Sequence, residues 1–138
     1  MAVTMDIGDP LDIHPLKKRE VGERLARWAF AKVYGRERAF SGPLFQKAEV
    51  EGGALRLQFE HAAGLNSGGE PVRSLWIAGV DRVFHPAVGR VEGETLLVSS
   101  PDVPAPLAVR FGWGAADLTN LWNGAGLPAS SFRSDDWR

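Results

Sequence analysis

The fold class follows most directly from Leu44-Phe-Gln-Lys-Ala-Glu-Val50, the turn residues Glu51-Gly52-Gly53 and then Ala54-Leu-Arg-Leu-Gln-Phe-Glu-His61. In the second half of this stretch every other side chain is apolar, beginning with Leu55. Alternation with a period of two is typical of a strand that has one face in a core and the other in water. Because the glycines between the halves favour a tight turn, the stretch predicts two antiparallel strands.

The same extended pattern continues further along the chain, where glycine, asparagine and proline clusters separate short apolar runs. These runs are candidate strands at Leu75 to Ala78, Ala87 to Val91, Thr95 to Ser99 and Leu107 to Trp113. Several short antiparallel strands at this spacing favour a jelly-roll-like β-sandwich over βαβ units. Residues 117–138 follow neither period but carry large apolar side chains, so we expect an ordered loop packed on the domain.

The pattern before Leu44 is of another kind. Residues 2–7 predict a short buried strand, which a Gly-Asp-Pro turn ends. From Pro15 to about Tyr34 apolar residues recur at spacings of three and four, which predicts an amphipathic helix with Pro15 in its first turn. Gly35 is free to adopt a positive φ and end that helix.

Composition excludes several classes of function. The chain has 138 residues, with 16 Lys and Arg against 17 Asp and Glu, so it presents no basic field to attract nucleic acid or an anionic membrane. It has no cysteine, which excludes a disulfide framework and thiolate metal sites. His61 and His85 are too scattered to form a ligand set, so we expect neither a metal nor a cofactor. No signal peptide is recognisable, and the compartment stays open.

The segment Asp9-Pro-Leu-Asp-Ile-His14-Pro15 contains the candidate catalytic residue, His14. A histidine between a strand and a helix can present its imidazole at the carboxyl end of a parallel sheet. A nearby aspartate can hold the tautomer and stabilise the imidazolium that forms when the ring accepts a serine proton. By spacing alone, a histidine beside an aspartate in a turn is more often a cap or surface residue.

Two separated motifs are recognisable, one around His14 and one between residues 109 and 137. The first comprises Asp6-Ile-Gly-Asp9, Asp12-Ile-His-Pro15, Lys18 and Val21-Gly22-Glu-Arg-Leu25-Ala26. The second comprises Val109-Arg-Phe-Gly-Trp113, Asn120-Leu-Trp-Asn123, and Gly126-Leu-Pro-Ala129 through Phe132-Arg-Ser-Asp135-Asp-Trp137. In their order and distance the motifs resemble the C-terminal portion of the sialate O-acetylesterases (sialic acid 9-O-acetylesterases), a family of SGNH hydrolases. The resemblance covers nearly all of the chain.

The resemblance implies that residues 1–38 are the last strand and helix of an SGNH α/β catalytic domain. Residues 39–138 would then be the C-terminal β-sandwich domain with its ordered loop tail. The family removes acetyl esters from sialic acid or related acetylated sugars by serine-esterase chemistry. The resemblance therefore implies that His14 is the general base and then the general acid of this reaction.

The orienting acid is less clearly marked than the histidine. These enzymes commonly place an aspartate three residues before the histidine, but Leu11 holds that position here. Asp12, two residues before, is the candidate, Asp9 is an alternative, and a backbone carbonyl could serve instead.

The sequence shows no serine that could act as the nucleophile of this reaction. No Gly-Asp-Ser block precedes His14, and we interpret the serines that follow it as turn and capping residues. We therefore expect this chain to be inactive alone. Its expected partner is an N-terminal catalytic portion that carries the serine, or a second copy of the chain that associates through residues 1–35.

The alternative function is a non-catalytic module whose sandwich binds carbohydrate or protein. The absent nucleophile and the aromatic tail favour it, since indole rings suit the apolar face of pyranoses. For Trp28, Trp76 and Trp113 we expect core and interface packing. For Trp122 and Trp137 sugar stacking and packing both remain open.

Overall fold

The structure is a computed structural model that describes residues 1–137. Its elements, in chain order, are α1 (Lys18–Lys32), β1 (Leu44–Glu51), β2 (Ala54–Glu60), β3 (Leu75–Ala78), β4 (His85–Pro86), β5 (Val88–Glu92), β6 (Thr95–Ser99), β7 (Ala108–Phe111) and β8 (Phe132–Arg133). Within residues 1–137, no helix is long and apolar enough to cross a membrane.

The strands form two four-stranded sheets, with the orders β1-β2-β6-β5 and β4-β3-β7-β8, and every pair of neighbours is antiparallel. One hydrophobic core joins their inner faces. Leu57 and Leu96 enter it from the first sheet, Ile77 and Val109 from the second, and all four are fully buried. The predicted mainly β, antiparallel sandwich is therefore confirmed.

The β1–β2 hairpin follows the alternation that predicted it. Leu55 and Leu57 are buried, whereas Arg56 points outward and binds Glu51 and Glu92. Gly52 occupies the turn with a φ of 60°, a conformation that costs a glycine little. The strand predicted over residues 107–113 is shorter, and the two-residue strands β4 and β8 were not predicted because they are too short to show a period.

The described part of the tail, which ends at Trp137, packs on the sandwich. The Phe132 ring stacks on Phe45 and Phe111, with centroids 4.5 and 5.3 Å apart. The buried Asn123 amide donates hydrogen bonds to the carbonyls of Ser41 and His61. The tail is thus fastened to both sheets and to the start of the sandwich. The expectation for Arg138 lies outside the described residues.

The N-terminal segment differs from its prediction in two respects. The buried strand expected at residues 2–7 is wrong: the segment is a turn closed by a hydrogen bond from the Ile7 N–H to the Thr4 carbonyl. A strand needs a neighbour for its backbone hydrogen bonds, and both described sheets are built from other strands. The helix begins at Lys18, so Pro15 precedes it rather than lying in its first turn.

The end of the helix agrees with the sequence. Gly35 has a φ of 60°, and the following N–H, of Arg36, donates to the Phe30 carbonyl. The boundary between residues 1–38 and 39–138 stays a prediction.

Candidate functional site

His14 lies in the loop that connects the N-terminal turn to α1. Its backbone N–H donates to Oδ1 of Asp12 at 2.7 Å, and the N–H of Leu11 donates to Oδ1 of Asp9 at 2.9 Å. Both aspartates therefore close local Asx turns, which give the loop its shape. These turns present the His14 side chain to solvent, 76% exposed.

The imidazole is close to Asp12 without being hydrogen bonded to it. Nδ1 of His14 lies 3.7 Å from Oδ1 of Asp12, beyond hydrogen-bonding distance. The carboxylate can attract a protonated ring from there, but it does not fix the tautomer. Within residues 1–137, no hydrogen bond joins Asp9 to the ring either. The structure thus brings the predicted histidine and aspartate together without choosing the orienting acid.

No described serine stands beside His14. The Ser134 hydroxyl accepts a hydrogen bond from the Val109 N–H, and the Ser100 hydroxyl accepts one from Asp102. The Ser100 contact is a local turn contact of the kind expected from the sequence, whereas the Ser134 contact joins the end of β8 to β7 across 25 positions. In the part of the chain that the structure describes, the histidine therefore has no nucleophile to activate.

The surroundings of His14 are apolar and uncovered. Leu11, Ile13 and Leu16 are at least nine-tenths exposed, and α1 has no buried residue. A depression of about 180 Å³ lies beside the ring, between the loop and the first turns of α1. Contiguous exposed apolar side chains commonly mark a contact surface for another part of a protein. We call the loop 11–16 together with the exposed Leu25 of α1 the apolar N-terminal face.

A buried ion pair lies within this segment, and a hydrogen bond from Trp122 to the same carboxylate fastens it to the rest of the domain. The Arg24 guanidinium donates to both carboxylate oxygens of Asp6, at 2.6 and 2.8 Å, and to the Val3 carbonyl. The Trp122 indole N–H donates to the same carboxylate at 3.0 Å. The Asp6 and Arg24 side chains are only 7% and 11% exposed. We call this group the Asp6 cluster. Sequence reasoning missed it because its members lie up to 116 positions apart.

The ionisation of Asp6 makes the cluster sensitive to acid. Burial raises the pKa of the Asp6 carboxyl, but hydrogen bonds from Arg24 and Trp122 and the charge of Arg24 outweigh burial and hold the pKa below its ordinary value. The unfolded chain has an Asp pKa of about 3.9. The ionised carboxylate therefore stabilises the fold above about pH 4, and that contribution is lost as the pH falls through the folded-state pKa.

We therefore expect acid to remove the stability difference between the protein and an Asp6→Asn variant. The parent should be the more stable at pH 7, and the gap should shrink as the pH falls below about 4. Urea unfolding across this range measures the gap. The carboxyl of Asp135, whose pKa the hydrogen bond from Arg110 lowers, titrates in both proteins and cancels. A gap independent of pH would show that the Asp6 charge contributes nothing.

The expected core packing is wrong for Trp113 and Trp76, which are 50% and 39% exposed, whereas packing of these rings at an interface with a further portion stays a prediction. Trp28 packs edge-on against Phe40, with centroids 4.7 Å apart, in agreement with its prediction. Trp122 is half-buried and held by Asp6, which favours packing over sugar stacking for this residue. Residues 1–137 contain no cluster of three potential metal ligands.

Comparison with known proteins relates this chain to one class of enzyme. No protein-family model and no curated protein matches it. Among solved structures, a carbohydrate acetylesterase from Xanthomonas citri is similar over 99% of the chain, with 45% sequence identity and a TM-score of 0.91. The chain spans 32% of the length of that acetylesterase.

Proposed function

We propose that this chain is the C-terminal part of a carbohydrate acetylesterase and supplies the general-base histidine, His14, to a catalytic portion that carries the serine. The observation that carries the proposal is the 45% identity to a carbohydrate acetylesterase, maintained over 99% of the chain. Identity at this level, with one fold throughout, supports a shared role in acetyl-sugar ester chemistry.

The apolar N-terminal face supports the need for a further portion. Large apolar side chains that are almost fully exposed cost free energy in water, about 25 cal/mol for each Å². The matched acetylesterase is about three times as long as this chain. A catalytic portion corresponding to the remaining two thirds would cover loop 11–16 and α1, and would place its serine near His14.

The chemistry would follow the ordinary course of a serine esterase. With the serine within hydrogen-bonding distance of the imidazole, His14 would accept the hydroxyl proton while the oxygen attacks the acetyl carbonyl. The protonated ring would then deliver this proton to the departing sugar oxygen, which leaves an acetyl-serine. Water would then attack the acetyl-serine while His14 accepts a proton from it. The protonated ring would return this proton to the serine oxygen as acetate is released. Backbone N–H groups of the catalytic portion would stabilise the tetrahedral oxyanion.

Within this class we propose O-acetylated sialic acid as the substrate. The support is the pair of sequence motifs around His14 and around Asn120 to Trp137, which resemble those of the sialate O-acetylesterases. Other acetylated sugars are the competing substrates, and a panel of acetyl esters separates them.

A chimera tests the proposed function directly. In the Xanthomonas citri acetylesterase, the matched third is exchanged for this chain, so that the serine proposed for the remaining two thirds would face His14. We expect the chimera to release acetate from acetylated sugars, whereas this chain alone and the acetylesterase without its matched third should not. A folded, monomeric chimera without esterase activity would overturn the proposal. Preference for acetylated neutral sugars over 9-O-acetylated sialic acid would overturn the sialate assignment alone.

A further inference from the structure

The outer face of the sheet β4-β3-β7-β8 carries an unusual row of side chains. Strand register places Pro86, Trp76, Arg110 and Arg133 side by side across all four strands. Each belongs to the face that points away from the core. Trp113, just after β7, lies over this row, with its ring 5.5 Å from the Arg110 guanidinium and 5.6 Å from that of Arg133.

The row continues at one side through a second aromatic pair. The Phe84 ring lies 4.0 Å from the Arg110 guanidinium and 5.9 Å from the Trp137 ring. Arg82 lies over Trp137 at 5.3 Å, and its backbone adopts a φ of 61°, a conformation that is costly for a residue with a Cβ. We call the combined set, with Trp76, Trp113 and Arg133, the Trp–Arg surface.

The positive charge of this surface is only partly balanced. Arg110 forms a two-pronged ion pair with Asp135, at 2.9 and 2.7 Å. Within residues 1–137, neither Arg82 nor Arg133 has a carboxylate within ion-pair distance. Their guanidiniums lie against indole faces instead, which orders them without neutralising them. The surface therefore presents two ordered cations beside aromatic rings, of which Trp76 and Trp113 are exposed and Phe84 and Trp137 are half-buried.

We propose that the Trp–Arg surface binds saccharide chains that carry carboxylates, such as polymers of uronic acids. The exposed indoles of Trp76 and Trp113 suit the apolar faces of pyranose rings. A guanidinium matches a carboxylate through two parallel hydrogen bonds, and Arg133 and Arg82 can form them because neither has an ion-pair partner within residues 1–137. Charge complementarity thus selects an acidic chain, and the flat strand row suits an extended one.

This inference goes beyond the proposed esterase function, because binding at the Trp–Arg surface requires neither His14 nor a nucleophilic serine. The surface also lies on the sandwich, not on the apolar N-terminal face. An inactive chimera would therefore not contradict saccharide binding at the Trp–Arg surface, and an absence of saccharide binding would not contradict the esterase function.

Titration calorimetry of this chain with oligogalacturonate tests the inference. We expect saturable binding that weakens with added salt. Trp113→Ala and Arg133→Gln should each weaken it about tenfold, which corresponds to ~1.4 kcal/mol. Tyr34→Ala removes an exposed aromatic ring just after α1, and Arg90→Gln removes an exposed cation from the other sheet, so both controls should bind like the parent.

Two comparison ligands separate stacking from simple charge attraction. A neutral cello-oligosaccharide of equal length and poly-glutamate should both bind at least tenfold more weakly than oligogalacturonate. Equal binding of the neutral sugar would overturn the role of the arginines. Equal binding of poly-glutamate would overturn the saccharide assignment, and so would an absence of oligogalacturonate binding or an equal loss in the two control variants.

Discussion

The His14→Ala variant of the chimera is expected to lose at least about 10³-fold in kcat, with KM nearly unchanged. Without the imidazole, no group accepts the serine proton as the oxygen attacks or protonates the departing sugar oxygen. Substrate contacts made by other groups would persist, so the loss falls on the chemical step. Initial rates of acetate release, measured over a range of substrate concentrations, separate kcat from KM.

His85→Ala is the matched control, since His85 lies on β4 of the sandwich, away from the apolar N-terminal face. It should retain the parent kcat. A His14→Ala chimera that keeps more than about a tenth of the parent rate would assign the general base to another residue.

Asp12→Asn and Asp9→Asn in the same chimera decide the orienting acid. An asparagine preserves the Asx turn, because its side-chain oxygen still accepts the backbone N–H, but it removes the charge that stabilises the imidazolium. Replacing the residue that orients His14 should therefore lower the kcat of the chimera and leave the stability of the loop unchanged. If both variants keep the parent rate, a group of the catalytic portion or a backbone carbonyl serves instead.

Removing the Asp6 carboxylate should have the largest effect on stability. In Asp6→Ala the Arg24 guanidinium remains, 11% exposed, without its only ion-pair partner among the described residues. Breaking a buried pair in this way costs about 3 to 5 kcal/mol. The Asp6 carboxylate accepts hydrogen bonds both from Arg24 of α1 and from Trp122 of the tail. Because its removal breaks both links, the loss should first appear as detachment of residues 1–35. Hydrogen exchange should accelerate in α1 far more than in β2 or β6.

Two further variants provide smaller losses of stability with which the loss in Asp6→Ala can be compared. Glu23→Ala breaks the exposed Arg19–Glu23 pair on the same helix and should cost no more than about 0.5 kcal/mol. Trp122→Phe removes the indole donor to the Asp6 carboxylate, together with part of the ring, and should cost about 1.5 to 3 kcal/mol. If Asp6→Ala leaves the exchange of α1 unchanged, the ion pair does not fasten the helix. Equal acceleration in α1 and the sandwich strands would mean that the two parts unfold as one unit.

The pattern of the chain was sufficient to predict the sandwich and most of its strands, but not the order of the strands within the two sheets. Leu55 and Leu57 alternate with polar residues, and the hairpin closes at Gly52, so both the strands and their turn could be read from neighbouring positions. His14 could be singled out in the same way, from a short motif. Its exposure and its 3.7 Å separation from Asp12 could not, because they depend on the conformation of the whole loop.

Other features depend on residues far apart in the chain. Periodicity shows which side chains share a face, and it shows nothing about whether another element covers that face. Residues 2–7 have the composition of a strand but lack a hydrogen-bonding neighbour, and Trp76 and Trp113 lie on an uncovered sheet face. The Asp6 cluster, β4 and β8 likewise exist through long-range contacts. The local sequence thus determined the strands and marked His14, while the packing of distant segments determined what is buried, what is exposed and what holds the histidine loop to the sandwich.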